Sequence, residues 1–189
     1  MINIISGQNK KTKIEVPKGN HVRPTSSLKR EAIFSILENL GTKNSFDIYS
    51  ENCFIDLFAG SGSLGLEAIS RGAKYVYFYE KNKDVIKTLY NNCKKICNKN
   101  KYEIINEDIE NLSLTNLLFP ISVIFIDPPY RSNPFNKILK KLLKGNFIKQ
   151  KTIIVIETFK GNLIDMPPFL KIIKERVYGK TKILFIQKI

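Results

Sequence analysis

The chain reads FIDLFAGSGSLG from Phe54 to Gly65. An apolar run that enters a glycine-rich turn and continues into a helical pattern is typical of the first β-turn-α unit of a nucleotide-binding fold. Gly60, Gly62 and Gly65 have the spacing GxGxxG, which permits a tight turn and a close approach of the backbone to a ligand. We therefore predict a ligand-binding loop between a strand and a helix; the alternative is that these glycines only make the turn.

Outward from this loop, apolar runs alternate with helical stretches. The pattern predicts strands at 53–58, 74–79, 102–106, 121–126 and 152–157, with helices at 63–71, 83–98 and 134–144 between most of them. Two further strands, 170–178 and 181–188, are separated by only two residues and predict an antiparallel hairpin. The predicted fold is α/β: a Rossmann-like, doubly wound and mostly parallel sheet of about seven strands, in which ligands bind at the carboxyl ends of the strands.

The first 41 residues are predicted to extend this core. Short strands at 2–5 and 12–16 indicate a small hairpin. A helix then begins after Thr25 or Ser26 as its N-cap, carries an apolar face that starts at Leu28, and ends at Gly41. No linker or repeat interrupts the chain, so we expect one domain, with residues 1–41 as the extension and residues 42–189 as the ligand-binding core.

The composition predicts a folded and strongly basic protein. The chain has 189 residues, 43% of them hydrophobic, and 31 Lys+Arg against 17 Asp+Glu give a net charge of +14. The three cysteines lack CxxC spacing and the one histidine is distant from them, so we expect no disulfide framework, no metal site and no histidine-based triad. Apolar runs too short for a bilayer and the lack of a signal-peptide pattern predict a cytoplasmic protein, and the charge predicts a polyanionic partner.

Acidic residues after successive strands distinguish two ligands for the glycine loop. Asp56 precedes the glycines, where a carboxylate holds a cationic amino-acid group but repels a pyrophosphate. Glu80 ends the next strand and can accept hydrogen bonds from ribose hydroxyls, and Asp108 follows the third strand and can accept one from an adenine amine. These three carboxylates favour S-adenosylmethionine over NAD(P) as the ligand, since the sequence offers no group suited to hydride chemistry beside them. The predicted cofactor-binding residues are Asp56, Phe58, Gly60, Ser61, Gly62, Glu80 and Asp108.

The most specific motif is Asp127-Pro128-Pro129-Tyr130, which follows the fourth core strand. Its two prolines stiffen the loop and leave carbonyls free to accept hydrogen bonds. The exocyclic amine of a base is a poor nucleophile because its lone pair is delocalised into the ring. If Asp127 and the Pro128 carbonyl accept its hydrogens, the lone pair is directed at the methyl group of a sulfonium. Tyr130 offers a face on which a flipped base can stack. The alternative is a proline-rich turn in which Asp127 caps the next helix.

These motifs together resemble the bacterial RsmD-type enzymes, which are S-adenosylmethionine-dependent methyltransferases. The similarity also includes residues 23–25 (RPT), 30–34 (REAIF) and 56–68 (DLFAGSGSLGLEA), and it covers nearly the whole chain. It implies methyl transfer to N2 of a guanine in 16S small-subunit ribosomal RNA, with S-adenosylhomocysteine as the product. It also implies that Glu80 contacts ribose, Asp108 the adenine, and Asp127 with Tyr130 the target base. We expect a monomer that meets the RNA within a small-subunit assembly intermediate, without a membrane partner.

Two groups of cations are candidates for binding the RNA. One is a lysine stripe on the helix after the catalytic loop, and the other combines Arg23 with lysines of the N-terminal hairpin, where the family tends to have arginines. The predicted RNA-binding residues are Arg23, Lys10, Lys11, Lys137, Lys140, Lys141 and Lys144. The alternative for either group is a solvated charged face.

Three other functions remain open at this point. The catalytic loop suits any exocyclic amine, so a DNA or RNA adenine-N6 methyltransferase is one of them, although the chain has no separate target-recognition domain for DNA. A non-catalytic RNA-binding module of the same fold is another, and an NAD-dependent dehydrogenase is the third. The presence of Asp56, Glu80, Asp108 and Asp127 disfavours the non-catalytic module, and the resemblance implies guanine N2 as the methylated atom.

Overall fold

The computed structural model describes residues 1–17, 25–109, 112, 117–129 and 133–189. The strands in these ranges are β1 (Ile2–Asn3), β2 (Lys13–Ile14), β3 (Cys53–Asp56), β4 (Tyr75–Tyr79), β5 (Tyr102–Ile105), β6 (Ile121–Ile126), β7 (Ile153–Phe159), β8 (Leu170–Tyr178) and β9 (Thr181–Lys188). The α-helices are α1 (Ser27–Lys43), α2 (Ser63–Arg71), α3 (Lys83–Ile96) and α4 (Phe135–Lys144).

Seven strands form one sheet in the order β5-β4-β3-β6-β7-β9-β8. β3 to β7 are parallel, while β9 pairs antiparallel with both β7 and β8. This order confirms the predicted doubly wound sheet with a C-terminal hairpin. The chain adds strands in one direction from β3 to β5 and then returns to β6 on the other side of β3, so the crevice between β3 and β6 is the switch point where such sheets bind ligands.

The sheet separates two apolar layers. One face packs against α1, α2, α3 and the β1–β2 hairpin, whose Ile4 and Ile14 are buried. The other packs against α4 through Phe135, Ile138, Leu139 and Leu142. Since β3 and β6 are buried on both faces, their residues are apolar except Asp56 and Ser122, as is usual for central parallel strands.

The N-terminal hairpin is fixed to α2 by a buried carboxylate. Glu67 of α2 accepts hydrogen bonds from the backbone N–H groups of Ile5 (2.8 Å) and Ser6 (2.9 Å). The same carboxylate pairs with Arg71 (2.9 Å) and with the fully buried Arg30 of α1 (3.5 Å). Hairpin, α1 and α2 are thus joined around one charge cluster, and the segment predicted as an extension packs into the core.

Two details of α1 differ from the prediction. The helix passes Gly41 and ends at Lys43, where the N–H of Asn44 returns to the carbonyls of Leu40 and Gly41. Gly41 instead allows the backbone at Phe46 to approach the helix closely, because a Cβ on Gly41 would lie 2.7 Å from the Phe46 carbonyl oxygen. Leu28 is 72% exposed, because the buried face of α1 is formed by Arg30, Ile33, Phe34, Leu37 and Gly41 instead. The predicted boundary between residues 41 and 42 falls inside this helix.

No helix in the described parts of the chain combines the length and the apolar character that crossing a bilayer requires.

Candidate active site

The predicted catalytic and cofactor-binding acids meet at the carboxyl edge of the sheet. Asp56 is the last residue of β3, and Asp127 directly follows β6. Asp56 is in register with Phe125 of β6, so the two carboxylates flank the switch point between adjacent parallel strands. Glu80 follows β4 at the same edge.

The glycine loop connects β3 to α2 in a conformation that needs glycine. Gly60 has φ 53° and Gly62 has φ 81°, which lie in the left-handed region that side chains other than glycine disfavour. A Cβ on Gly62 would also lie 2.5 Å from Leu89 of α3. The carbonyl of Ser61, a buried residue, accepts a hydrogen bond from Asn92 of α3 at 2.9 Å. The loop is therefore held rigidly before any ligand arrives.

Glu80 is fixed against this loop by backbone donors. One oxygen accepts from the N–H of Gly60 at 3.1 Å, and the other accepts from the N–H of Asn82 at 2.9 Å. Phe58, at the start of the loop, is half-buried. The structure thus brings Asp56, Phe58, Gly60, Ser61, Gly62 and Glu80 together at the carboxyl edge of β3 and β4.

Asp56 is buried with an unsatisfied oxygen. The residue is 2% exposed, and its Oδ1 has no hydrogen-bond partner within the described structure. Burial raises the pKa of this carboxyl to about 7, against partly compensating hydrogen bonds from the backbone of Phe58 and Gly65, and the nearby Glu80 raises it further. A buried acceptor without a donor fits a cationic, hydrogen-bonding ligand at this position.

Asp108 lies further from the switch point. It follows β5, two strands away from β3, and its side chain is 41% exposed and lies 3.3 Å from the ammonium group of Lys81. Asp108 therefore lies at the same edge of the sheet as Glu80, on the side away from β6.

Asp127 is buried and held by residues from two other elements. Its Oδ2 accepts a hydrogen bond from the Thr25 hydroxyl, before α1, at 3.1 Å. Glu157 of β7, which forms an ion pair with Lys29 of α1, also acts on it. Burial first, and then Glu157 and Asp56, hold the pKa of Asp127 well above its ordinary value, while the hydrogen bond from Thr25 and the charge of Lys29 oppose the rise.

Thr25, Lys29 and Glu157 are functional candidates that motif analysis does not assign. The sequence predicts Thr25 or Ser26 as the N-cap of α1, and the structure confirms Ser26, whose side chain accepts from the N–H of Lys29. One sequence feature could have identified Glu157, which is the only charged residue of the mostly apolar β7. A charge near the carboxyl end of a buried strand indicates a site, because burying it needs a partner.

The predicted RNA-binding lysines occupy two separate places. Residues 7–9 of the hairpin contact Ser70 in the last turn of α2, so Lys10 and Lys11 lie towards the end of that helix opposite the glycine loop. Lys137, Lys140, Lys141 and Lys144 follow the outer side of α4, which starts near the carboxyl edge of β6. Arg23 and Tyr130 lie outside the described residues.

The sheet order, the glycine loop after β3 and the Asp-Pro-Pro loop after β6 define a Rossmann-like methyltransferase. Solved structures agree with this class. The chain is similar to yhhF from Escherichia coli, with a TM-score of 0.81 and 26% identity over 99% of this chain and 97% of that one. It is also similar to HI0767 from Haemophilus influenzae, with a TM-score of 0.80 and 28% identity over 100% of this chain and 98% of that one.

Sequence relatives define the family more narrowly. The family model described as Conserved hypothetical protein 95 matches residues 2–187. A protein named Ribosomal RNA small subunit methyltransferase D from Haemophilus influenzae is 33% identical over 94% of this chain and 89% of its own length. A protein of the same name from Buchnera aphidicola of Acyrthosiphon pisum is 35% identical over 96% of this chain and 90% of its own length. The chain belongs to this RsmD-type family.

Proposed function

We propose that this protein transfers a methyl group from S-adenosylmethionine to N2 of a guanine in 16S ribosomal RNA. The observation that carries the proposal is the position of Asp127 and Pro128, after β6, beside the glycine loop and the unsatisfied Asp56 carboxylate at the switch point. The names of the relatives support ribosomal RNA as the substrate. Residues 1–189 act as one methyltransferase domain and as a cytoplasmic monomer, and the RNA is met within a small-subunit assembly intermediate.

The residues of the glycine loop and its neighbours would hold the cofactor. Asp56 offers its free oxygen to a cationic amine, the backbone of residues 60–62 lines the pocket, Glu80 offers carboxylate oxygens to hydroxyls, and Asp108 lies at the far end. When bound, S-adenosylmethionine supplies an electrophilic methyl group on a positively charged sulfur. The negative field of Asp56, Glu80 and Asp127 suits that charge.

Asp127 and Pro128 are proposed to prepare the attacking nitrogen. The Asp127 carboxylate and the Pro128 carbonyl accept hydrogen bonds from the two N–H bonds of the guanine amine, which directs its lone pair out of the ring plane. Both acceptors lie on a proline-stiffened loop, so they are in place before the base enters. Tyr130 is proposed to stack on the base.

Mapping the methylated nucleotides of ribosomal RNA tests the function directly. We expect mass spectrometry to find one N2-methylguanine in the small-subunit RNA of wild-type cells that is lost when the gene is deleted and restored by its expression. Identical methylation in both strains would contradict the proposal. Loss of an N6-methyladenine instead would assign the enzyme to the other amine.

The lysines of α4 are expected to contribute electrostatically to RNA binding. Replacing Lys140 and Lys141 with alanine should weaken RNA binding. It should also reduce the slope of log Kd against log salt concentration by about two, since two phosphate contacts are lost. Cofactor affinity should be unchanged. Titration of labelled RNA at several salt concentrations measures the RNA Kd and its salt dependence. The matched control is K99A/K101A, which removes the same charge before β5 at the opposite edge of the sheet. Equal effects of the two double variants would rule out a specific role for α4.

The hydroxyl of Thr25 is expected to set the pH range in which Asp127 is ionised. Since this hydrogen bond lowers the pKa of Asp127, T25V should raise that pKa and move the acidic limb of the kcat–pH profile to higher pH. T25S keeps the donor and should keep the wild-type limb. A uniform loss of rate at every pH, with no shift of the limb, would show that Thr25 is only structural.

A further inference from the structure

We propose that the turn of the C-terminal hairpin and the end of β7 bind the RNA strand next to the target base. We call this surface the hairpin platform and define it by Phe159, Lys160, Arg176, Tyr178 and Lys180. It rests on the proposed function for its substrate, and it adds a contact surface separate from α4 and the N-terminal hairpin.

The strand directions bring the hairpin platform to the catalytic edge. Because β9 runs antiparallel to β7, its first residue, Thr181, pairs with Phe159 at the end of β7. The turn between β8 and β9 therefore lies at the carboxyl edge of the parallel strands, where Asp127 lies. Glu157 precedes Phe159 by two residues on the same face of the sheet, so the platform begins about 7 Å along the strand from this site residue.

The platform presents two aromatic rings on one face. Thr181 pairs with Phe159 on one side and with Tyr178 on the other, so the three side chains project from the same face. With neighbouring strands spaced at about 4.8 Å, the two aromatic residues are about 10 Å apart. Phe159 is 42% exposed and Tyr178 is half-buried. An exposed ring at the rim of a site is a surface on which an unpaired base can stack.

The lysines beside these rings are fixed in their backbone positions and exposed. The N–H of Lys160 donates to the carbonyl of Lys180 at 2.9 Å, and the N–H of Asn162 donates to the carbonyl of Phe159 at 3.0 Å. Both lysines are exposed, and within the described residues neither has an acidic partner at ion-pair distance. Arg176 precedes Tyr178 by two residues on the same face and is also exposed.

The charge of this segment indicates a polyanion. Residues 159–189 contain seven lysines and arginines against two acids. Cations without acidic partners bind phosphates, and rings among them add stacking, a combination typical of single-stranded RNA contacts. An RNA strand whose guanine reaches Asp127 can therefore continue across the platform.

The test compares two double variants of the same hairpin. K160A/K180A removes two charges from the platform, and K171A/K188A removes two from its opposite end, about 23 Å away along β9. The probes are protein-free 16S ribosomal RNA and small ribosomal subunits from cells that lack this protein. We expect K160A/K180A to raise Kd and KM for at least one probe by about tenfold or more and to reduce the salt slope by about two. K171A/K188A should change Kd less than about twofold, and kcat and cofactor affinity should be unchanged in both.

Phe159 gives an independent measurement. F159A should raise the RNA Kd by about fivefold or more, and F159Y should restore it. Equal effects of the two double variants, or no effect of K160A/K180A, overturn the proposal. A loss with F159A alone would indicate an apolar protein contact and also overturns it. Wild-type protein that binds the probes but never methylates them would refute the proposed function. The RNA Kd values of the variants would still test the role of the hairpin platform in that case.

Discussion

Replacing Asp127 with alanine is expected to reduce kcat for RNA methylation by about 100- to 1,000-fold, because the amine then loses its charged hydrogen-bond acceptor. Asp127 is buried at the switch point and is held by Thr25 before any substrate binds. The residues proposed to bind the cofactor, Gly60 and Glu80 among them, form a separate set of contacts. Calorimetric affinity for S-adenosylmethionine should therefore remain within about threefold of wild type.

The measurement is single-turnover transfer of a labelled methyl group, with D127N as a graded variant and D165N as the control. The amide of D127N keeps a carbonyl acceptor but loses the charge, so the rate of this variant should lie between those of wild type and D127A. Asp165 lies in an exposed loop after β7, and its replacement should leave the rate unchanged. Wild-type turnover by D127A would show that Asp127 has no role in the reaction.

Replacing Asp56 with asparagine is expected to weaken cofactor binding and to stabilise the protein. The charged hydrogen bond to the cationic amine is worth about 1.5–3 kcal/mol, so affinity should fall about 10- to 150-fold. Burial raises the pKa of Asp56 from 3.8 to about 7 in the empty site, which corresponds to about 4 kcal/mol against the ionised form. Without that charge the unliganded protein should gain about 2–4 kcal/mol above pH 7.

The direction of the Asp56 pKa shift determines how the stability difference between D56N and wild type depends on pH. A carboxyl whose folded-state pKa is raised contributes stability that is complete below pH 4 and is lost as the pH rises towards 7. The stability advantage of D56N should therefore be small at pH 4, grow up to pH 7 and stay constant above it. Denaturant unfolding of the unliganded proteins at pH 5 and pH 8 measures it, with D165N, which changes an exposed aspartate in the loop after β7, as control. A D56N protein that is less stable than wild type at pH 8 would show that Asp56 is a structural acceptor.

The architecture was predictable because its signals are local. The apolar strands, the glycine loop and the Asp-Pro-Pro motif each depend on residues close together in the chain, and their periodicity determines which faces are buried. The strand order was not predicted in this way, because the short final turn pairs β8 with β9 but does not determine that β9 lies between β7 and β8. The same local patterns misplaced Leu28 and the end of α1, because a helix continues past a glycine when tertiary packing favours it.

The sequence by itself determined the doubly wound fold, the glycine loop and the catalytic motif of this RsmD-type protein. Only the tertiary structure decided what surrounds Asp127, because Thr25 is 102 residues away from it and Lys29 is 128 residues away from Glu157. It also brought Lys160 and Lys180 together at the catalytic edge through the antiparallel direction of β9. Contacts at such separations leave no periodic signal, since they depend on how the completed sheet places the ends of its strands.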